Sequence, residues 1–154
     1  MSRQYFDNLD LTILRALVAN ARTPYLEIAR AYGVSGAAVH QRVQRLLASK
    51  VIIGSRCLVD PDAAGYSVSA YLGLNLLPGT QLDDVINQLK SIPEIVECSI
   101  VAGQYDILIK VMARDNDHML ALIQEKIRPL PLSASETMVA FKEAFSRSFP
   151  INND

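Results

Sequence analysis

Two cysteines and two histidines are all the thiol and imidazole groups that 154 residues supply, and their placement removes most of what they could do. Cys57 and Cys98 stand 41 residues apart with no His or Cys neighbour at ligand spacing, which argues against a metal site and for reduced, structural thiols. His40 and His118 have no evident partner for acid–base work, and no phosphate-binding loop, zinc spacing or nucleophile elbow is present. Neither a metal, a cofactor nor an enzymatic activity is expected. Long apolar runs are lacking too. None approaches the ~20 residues that span a bilayer, and the polar start MSRQYFDN has no secretory-signal core, so a cytoplasmic protein without a membrane partner is expected. With 50% hydrophobic and 20% charged residues, no region is polar enough for long disorder, and the length suits two small domains better than one.

The formal net charge of −1 conceals an asymmetry. Residues 1–58 carry eight Lys or Arg against three Asp or Glu, a balance of +5; from residue 59 onward the count is seven against 13, a balance of −6. A basic N-terminal part fits phosphate neutralisation, with Arg3, Arg15, Arg22, Arg30, Arg42, Arg45, Lys50 and Arg56 as the supply.

That basic part carries a recognisable pattern at residues 23–47, TPYLEIARAYGVSGAAVHQRVQRLL. Thr23 can cap a helix that starts at Pro24, with Leu26, Ile28 and Ala29 as its packing residues. Gly33 suits the left-handed backbone that ends it, and Ser35 can cap a second helix after a short turn. In that second helix Val39, Val43, Leu46 and Leu47 share one side. Ala37, Ala38, Gln41, Gln44 and Arg45 lie on or near the other, flanked by His40 and Arg42. Small residues at its start let a backbone approach a groove, and Gln and Arg can bond base edges or phosphates. Residues 7–20 supply a further amphipathic helix through Leu9, Ile13, Leu14 and Leu17, completing a three-helix unit. The expected reading is a helix-turn-helix of winged type whose DNA contacts come from Ser35, Ala37, Ala38, His40, Gln41, Arg42, Gln44 and Arg45. An Arg/Gln face can also be mere solvated surface; the turn and the preceding helices favour the DNA reading. One copy is too small for tight specific binding to double-stranded DNA, so a dimer on half-sites about 34–36 Å apart is expected.

Residues 53–66 read as a linker or hinge strand, extended first and then broken by Asp60-Pro61-Asp62 and Gly65. It is either a plain tether or a strand that pairs across a dimer. Residues 67–77 alternate strictly, with Val68, Ala70, Leu72, Leu74 and Leu76 on one face. Leu82, Val85, Ile86, Leu89 and Ile92 then fall at helical spacing, stopped by Pro93. Strands at 95–102 and 107–112 flank the turn Gly103-Gln104-Tyr105-Asp106, and Asp115-Asn116-Asp117 caps a helix running to Arg128. Alternation at 136–145 predicts the last strand. The order β-α-β-β-α-β is the ferredoxin-like split unit, which makes the chain α+β: residues 1–52, then the linker, then 67–149, then a tail at 150–154. Helices can cover one face of such a sheet, and Leu108, Met112 and Val101 suggest that the other also needs covering, most economically by a second subunit.

Taken together, LDLTILRALVANART (9–23), EIARAYGVS (27–35), VHQRVQRL (39–46), VIIG (51–54) and GQYDILIKV (103–111) resemble the Lrp/AsnC family of leucine- and asparagine-responsive "feast/famine" transcription regulators. The resemblance implies an N-terminal DNA-binding domain, a C-terminal ligand-sensing domain, and dimers that assemble into octamers or other higher forms in response to an amino acid. It implies an effector site near the Gly-x-Tyr-Asp turn and the last strand, which nominates Gly103, Gln104, Tyr105 and Asp106, with Ser135 and Thr137. A glycine turn can offer backbone N–H groups to a carboxylate, while Asp106 could accept from an α-ammonium group. The plainer alternative is a hairpin in which Gly103 supplies a positive φ, Tyr105 packs and Asp106 bonds local N–H groups. The chain departs from the family pattern at Lys50, where many relatives have glycine, and at Gln104, where a small acidic or amide residue is frequent. Two alternatives remain at this level: a catalytic subunit like the haem-pathway decarboxylases of similar architecture, and a non-DNA interaction adaptor.

Overall fold

A computed structural model describes residues 6–151, so Arg3 lies outside the described residues. Chain contacts divide the protein into two units, one running to Cys57 and taking in the segment from Ser146, the other spanning Leu58–Phe145.

The first unit is built from three helices, α1 (Asn8–Ala19), α2 (Tyr25–Tyr32) and α3 (Gly36–Ala48). Helix α1 starts at Asp7, whose side chain accepts from the Asp10 N–H at 2.9 Å while Asp10 reaches back to the Asp7 N–H, a reciprocal capping box. Helix α2 differs from expectation at its start. Pro24 occupies the N-cap, and the Thr23 hydroxyl donates instead to the Asn20 carbonyl at 2.8 Å, closing the preceding turn. Gly33 ends α2 in the left-handed region (φ 75°), and the Ser35 hydroxyl oxygen accepts from Ala38 N–H at 3.1 Å to start α3. Between the helices lies a core of Leu9, Ile13, Leu14, Ile28, Ala29, Val39, Val43 and Leu46. Leu47 is not part of it: at 40% exposure it sits on the flank of α3, about 80° round the helix from Val39 at the 100° step, at the edge of the buried face. The C-terminal segment packs on the same unit, with Ile151 against the core and its carbonyl accepting from Arg15 Nε at 2.9 Å.

Helix α3 ends in a Schellman turn, with Val51 N–H donating to Leu46 O at 2.9 Å and Lys50 N–H to Leu47 O at 3.0 Å. Lys50 occupies the left-handed position of that turn at φ 57°, the position glycine usually takes. A Cβ there costs about 1–2 kcal/mol, of which glycine's extra unfolded-state entropy returns roughly half. Lys50→Gly is therefore expected to stabilise the helical unit by about 0.5–1 kcal/mol, read as a rise of a few degrees in Tm; an unchanged or lower Tm would show that the turn is not strained.

The second unit runs β1 (Val68–Leu76), α4 (Leu82–Lys90), β2 (Ile95–Ile100), β3 (Ile107–Ala113), α5 (Asn116–Leu122), a π-turn (Ile123–Ile127) and β4 (Leu132–Ala140). The sheet is antiparallel in the order β2-β3-β1-β4, the ferredoxin-like arrangement expected from the sequence. One face is covered: Ala70, Leu72, Leu74, Ile107, Ile109 and Val111 pack against Val85 and Leu89 of α4 and Met119 and Leu122 of α5. The expected regular helix to Arg128 instead widens by one residue, Arg128 N–H reaching Ile123 O at 2.9 Å, so that Ile127 and Leu130 both turn inward.

Strand β4 also differs from expectation, lying at 132–140 rather than 136–145. Its partner decides this. Pairing runs from Leu76 opposite Leu132 to Ser69 opposite Ala140, and beyond Ala140 the alternating residues have no strand to pair with; Phe141 is fully exposed. Residues 53–59 form no strand and leave Ile53 and Leu58 at least nine-tenths exposed.

Candidate nucleic-acid interface and effector turn

Helix α3 buries Val39, Val43 and Leu46, which turns Ala37, Gln41 and Gln44 to the solvent side by the 100° step of the helix. Gly36 lies under Leu26 of α2, where a Cβ would sit 2.7 Å from Leu26 Cδ2, so the two helices meet closely at the turn. The flanks carry the remaining expected contacts. His40 packs edge-on to Tyr25 on the α2 side, with ring centroids 6.0 Å apart. Ser35 spends its hydroxyl oxygen on the helix cap, and Ala38 is half-buried.

Arg42 and Arg45 lie on the α1 flank and are engaged within the unit. Arg42 Nη1 donates to Asp7 Oδ2 and, at 3.1 Å, to Asp10 Oδ1; Arg45 Nη2 donates to Asp10 Oδ2 at 2.5 Å. Asp10 is 1% exposed. The sequence offered no sign of this cluster, because i to i+35 pairing depends on how α1 crosses α3. Asp7 titrates accordingly: the Asp10 N–H first, then Arg42, hold its carboxyl below the usual carboxylate range. A depressed folded-state value means that its stabilisation is complete above about pH 4 and vanishes as pH falls through the folded value. Half-exposed as it is, Asp7 contributes under about 1 kcal/mol. The Tm gap between wild type and Asp7→Asn is expected to be largest near neutral pH and to close below pH ~4; a gap independent of pH would refute the assignment.

In the second unit the Gly103–Asp106 turn joins β2 to β3. Gly103 adopts φ 150°. Asp106 is spent on the hairpin: its N–H donates to Leu74 O at 3.0 Å, its carbonyl accepts from Val101 N–H at 3.0 Å, and Oδ2 accepts from Leu76 N–H at 2.8 Å beside a register shift in β1. Tyr105 lays its ring on Gly73, the one place in β1 where a missing side chain leaves room for it. Its hydroxyl donates to Glu136 Oε2 of β4, and Gln104 Nε2 lies 3.5 Å from the same oxygen. That hydrogen bond, with burial and the carboxylate charge adding to it, raises the phenol above its usual value and keeps it a donor.

The structure thus gathers Gln104, Tyr105 and Glu136 on the sheet face that no helix covers. Ser135 and Thr137 pair with Leu74 and Leu72, both buried, and so fall on the helix-facing side of β4. Glu136 was absent from the sequence expectation; only the register of β4 reveals that it stands opposite Gly73. His118 has partners the sequence did not disclose: Nδ1 accepts from Arg114 N–H at 3.2 Å and Nε2 lies 3.7 Å from Glu94. Among the described residues no group of three or more His, Cys, Asp or Glu could hold a metal, and no helix is long and apolar enough to cross a membrane.

A reading helix presented by a three-helix unit, joined to a ferredoxin-like unit with a polar turn on its open face, defines a helix-turn-helix regulator with a sensor domain. Residues 6–47 match the AsnC-type helix-turn-helix domain and residues 69–148 the Lrp/AsnC ligand binding domain. The chain belongs to the Lrp/AsnC family of transcription regulators. It is 34% identical over 149 residues to the regulatory protein AsnC of Escherichia coli K12, covering 96% of this chain and 98% of that protein. The solved structure of E. coli AsnC superposes with a TM-score of 0.88 over 95% of this chain and 99% of that one, at 33% identity. A feast or famine regulatory protein of Mycobacterium tuberculosis, solved with L-methionine, gives a TM-score of 0.89 at 26% identity, covering 96% and 100%.

Proposed function

We propose that this protein is a non-enzymatic, cytoplasmic transcription regulator that binds operator DNA as a homodimer or higher assembly and answers to an amino acid at the Gly103–Asp106 turn. The observation that carries the sensor reading is the convergence of Tyr105 and Gln104 on the Glu136 carboxylate. With Asp106 already accepting from Leu76 N–H, Glu136 is the acceptor for an α-ammonium group, and the N–H groups of the glycine turn receive the α-carboxylate. L-methionine bound to the M. tuberculosis relative supports the same ligand class.

On DNA, Ala37, Gln41 and Gln44 face the bases, while Ser35, Ala38, His40, Arg42 and Arg45 border the groove. Half-sites about 34–36 Å apart are bridged by dimerisation. Two exposed apolar features support a dimer: the open sheet face, which carries Tyr71, Leu108, Met112 and Met138, and the segment 53–59 with Ile53 and Leu58. Assembly to an octamer fits the same family.

A panel of amino acids in a thermal-shift assay tests the sensor, because a ligand that binds only the folded state raises Tm. One or more should do so, and Glu136→Gln should abolish the shift. No response from any amino acid would sink the sensor reading without touching the DNA reading. For the latter, Gln41→Ala is expected to relax base preference at one operator position, at a cost of about 1–3 kcal/mol, with assembly unchanged; loss of assembly would make this face structural.

A further inference from the structure

The Asp7–Asp10–Arg42–Arg45 cluster is more elaborate than three packed helices need. Asp10 is a carboxylate with 1% exposure in a core otherwise made of aliphatic side chains, and both its oxygens are engaged. Oδ1 receives Arg42; Oδ2 receives Arg45 and, at 3.3 Å, the Asp7 N–H. Buried ion pairs seldom stabilise a fold better than apolar residues of the same volume, because desolvation consumes the attraction. Ordering is what such a pair does well. Each guanidinium has five N–H donors in a rigid plane, and the cluster uses few of them. The Arg42 and Arg45 side chains remain 30% and 52% exposed, on the flank of α3 beside Gln41 and Gln44.

We propose that Asp10 is a positioning residue for DNA recognition: from α1 it holds the Arg42 and Arg45 guanidinium planes at the edge of the reading face. Their remaining donors then meet backbone phosphates in a fixed register, and Gln41 and Gln44 are set over the bases. Two flexible arginines would bind any duplex. Two clamped ones bind a duplex in one orientation, and they surrender less side-chain freedom on binding.

The test uses the full-length chain, an operator selected from random DNA by the wild-type protein, and an unrelated duplex of equal length. Asp10→Asn removes a negative charge beside the DNA surface, so electrostatics alone predicts unchanged or tighter binding to the unrelated duplex. Loss of positioning predicts that the ratio of operator to unrelated-duplex affinity falls about tenfold or more. A purely structural role would lower Tm but leave that ratio at the wild-type value, since both affinities are properties of the folded fraction; that outcome would overturn the proposal. Should Asp10→Asn fail to fold, Arg45→Lys serves instead. It keeps the charge and loses the planar fork, at a side chain already half exposed. A severalfold drop in the same ratio is expected. A ratio equal to wild type in Arg45→Lys would overturn the proposal on its own.

Discussion

Replacing Gly73 with leucine is expected to destabilise the sheet unit by about 1–3 kcal/mol and to abolish any amino-acid-induced thermal shift. A Cβ at this position would lie 2.5 Å from Cδ1 and Cγ of Tyr105 and 2.6 Å from Cδ2, so the strand and the ring cannot both keep their places. Gly73 is buried in the strand between β3 and β4, held by pairing on both sides. The ring must therefore leave, taking with it the Tyr105 and Gln104 bonds to Glu136. The cause can be isolated. In a Tyr105→Ala background the clash is gone, so Gly73→Ala should be nearly neutral there, and a double-mutant cycle should return a coupling of at least about 1 kcal/mol. Additive effects would show that Gly73 is required for something other than the tyrosine.

Ile13→Ala is expected to cost about 2–5 kcal/mol, all of it in the helical unit. Ile13 is 0% exposed among Leu9, Val39, Val43 and Leu46, and a core this small has little capacity to collapse into the cavity. Since folded domains hold only about 5–15 kcal/mol in reserve, operator binding at 37 °C should fall sharply. Hydrogen exchange reads the outcome by residue: amides of α1, α2 and α3 should lose protection, while those of β1, β3 and β4 keep theirs. Equal loss of protection in both units would mean that the chain unfolds as one cooperative body.

Much of this architecture was legible in the sequence because it rests on short-range rules. Period-two alternation located β1, 3.6-residue spacing located α1, α3 and α4, and Gly33, Ser35 and Asp115 placed the caps and turns where the structure has them. The differences share a cause. The alternation in the sequence continues past Ala140, whereas β4 stops there because its partner β1 stops. Thr23 reads as the N-cap of α2, but Pro24 holds that position and the Thr23 hydroxyl donates to the Asn20 carbonyl of the preceding turn. The helical wheel puts Leu47 on one side with Val39, Val43 and Leu46, but it cannot say how much of that side the neighbouring helices cover, and Leu47 stays 40% exposed.

The candidate sites divide along the same line. Sequence alone determined that α3 presents small and amide side chains on one face, that Gly103-Gln104-Tyr105-Asp106 is a turn, and that positive charge concentrates before residue 59. The tertiary structure decided which of those groups are already engaged. Arg42 and Arg45 are tied to Asp10, Asp106 closes the hairpin, and Glu136 is the carboxylate that Tyr105 and Gln104 meet. It also returned the segment from Ser146 to the helical unit, where Ile151 packs. Every one of these depends on contacts between residues about 30 to 135 positions apart. Local propensity sets which face a side chain takes, but only the crossing of helices and the register of strands sets what stands opposite it.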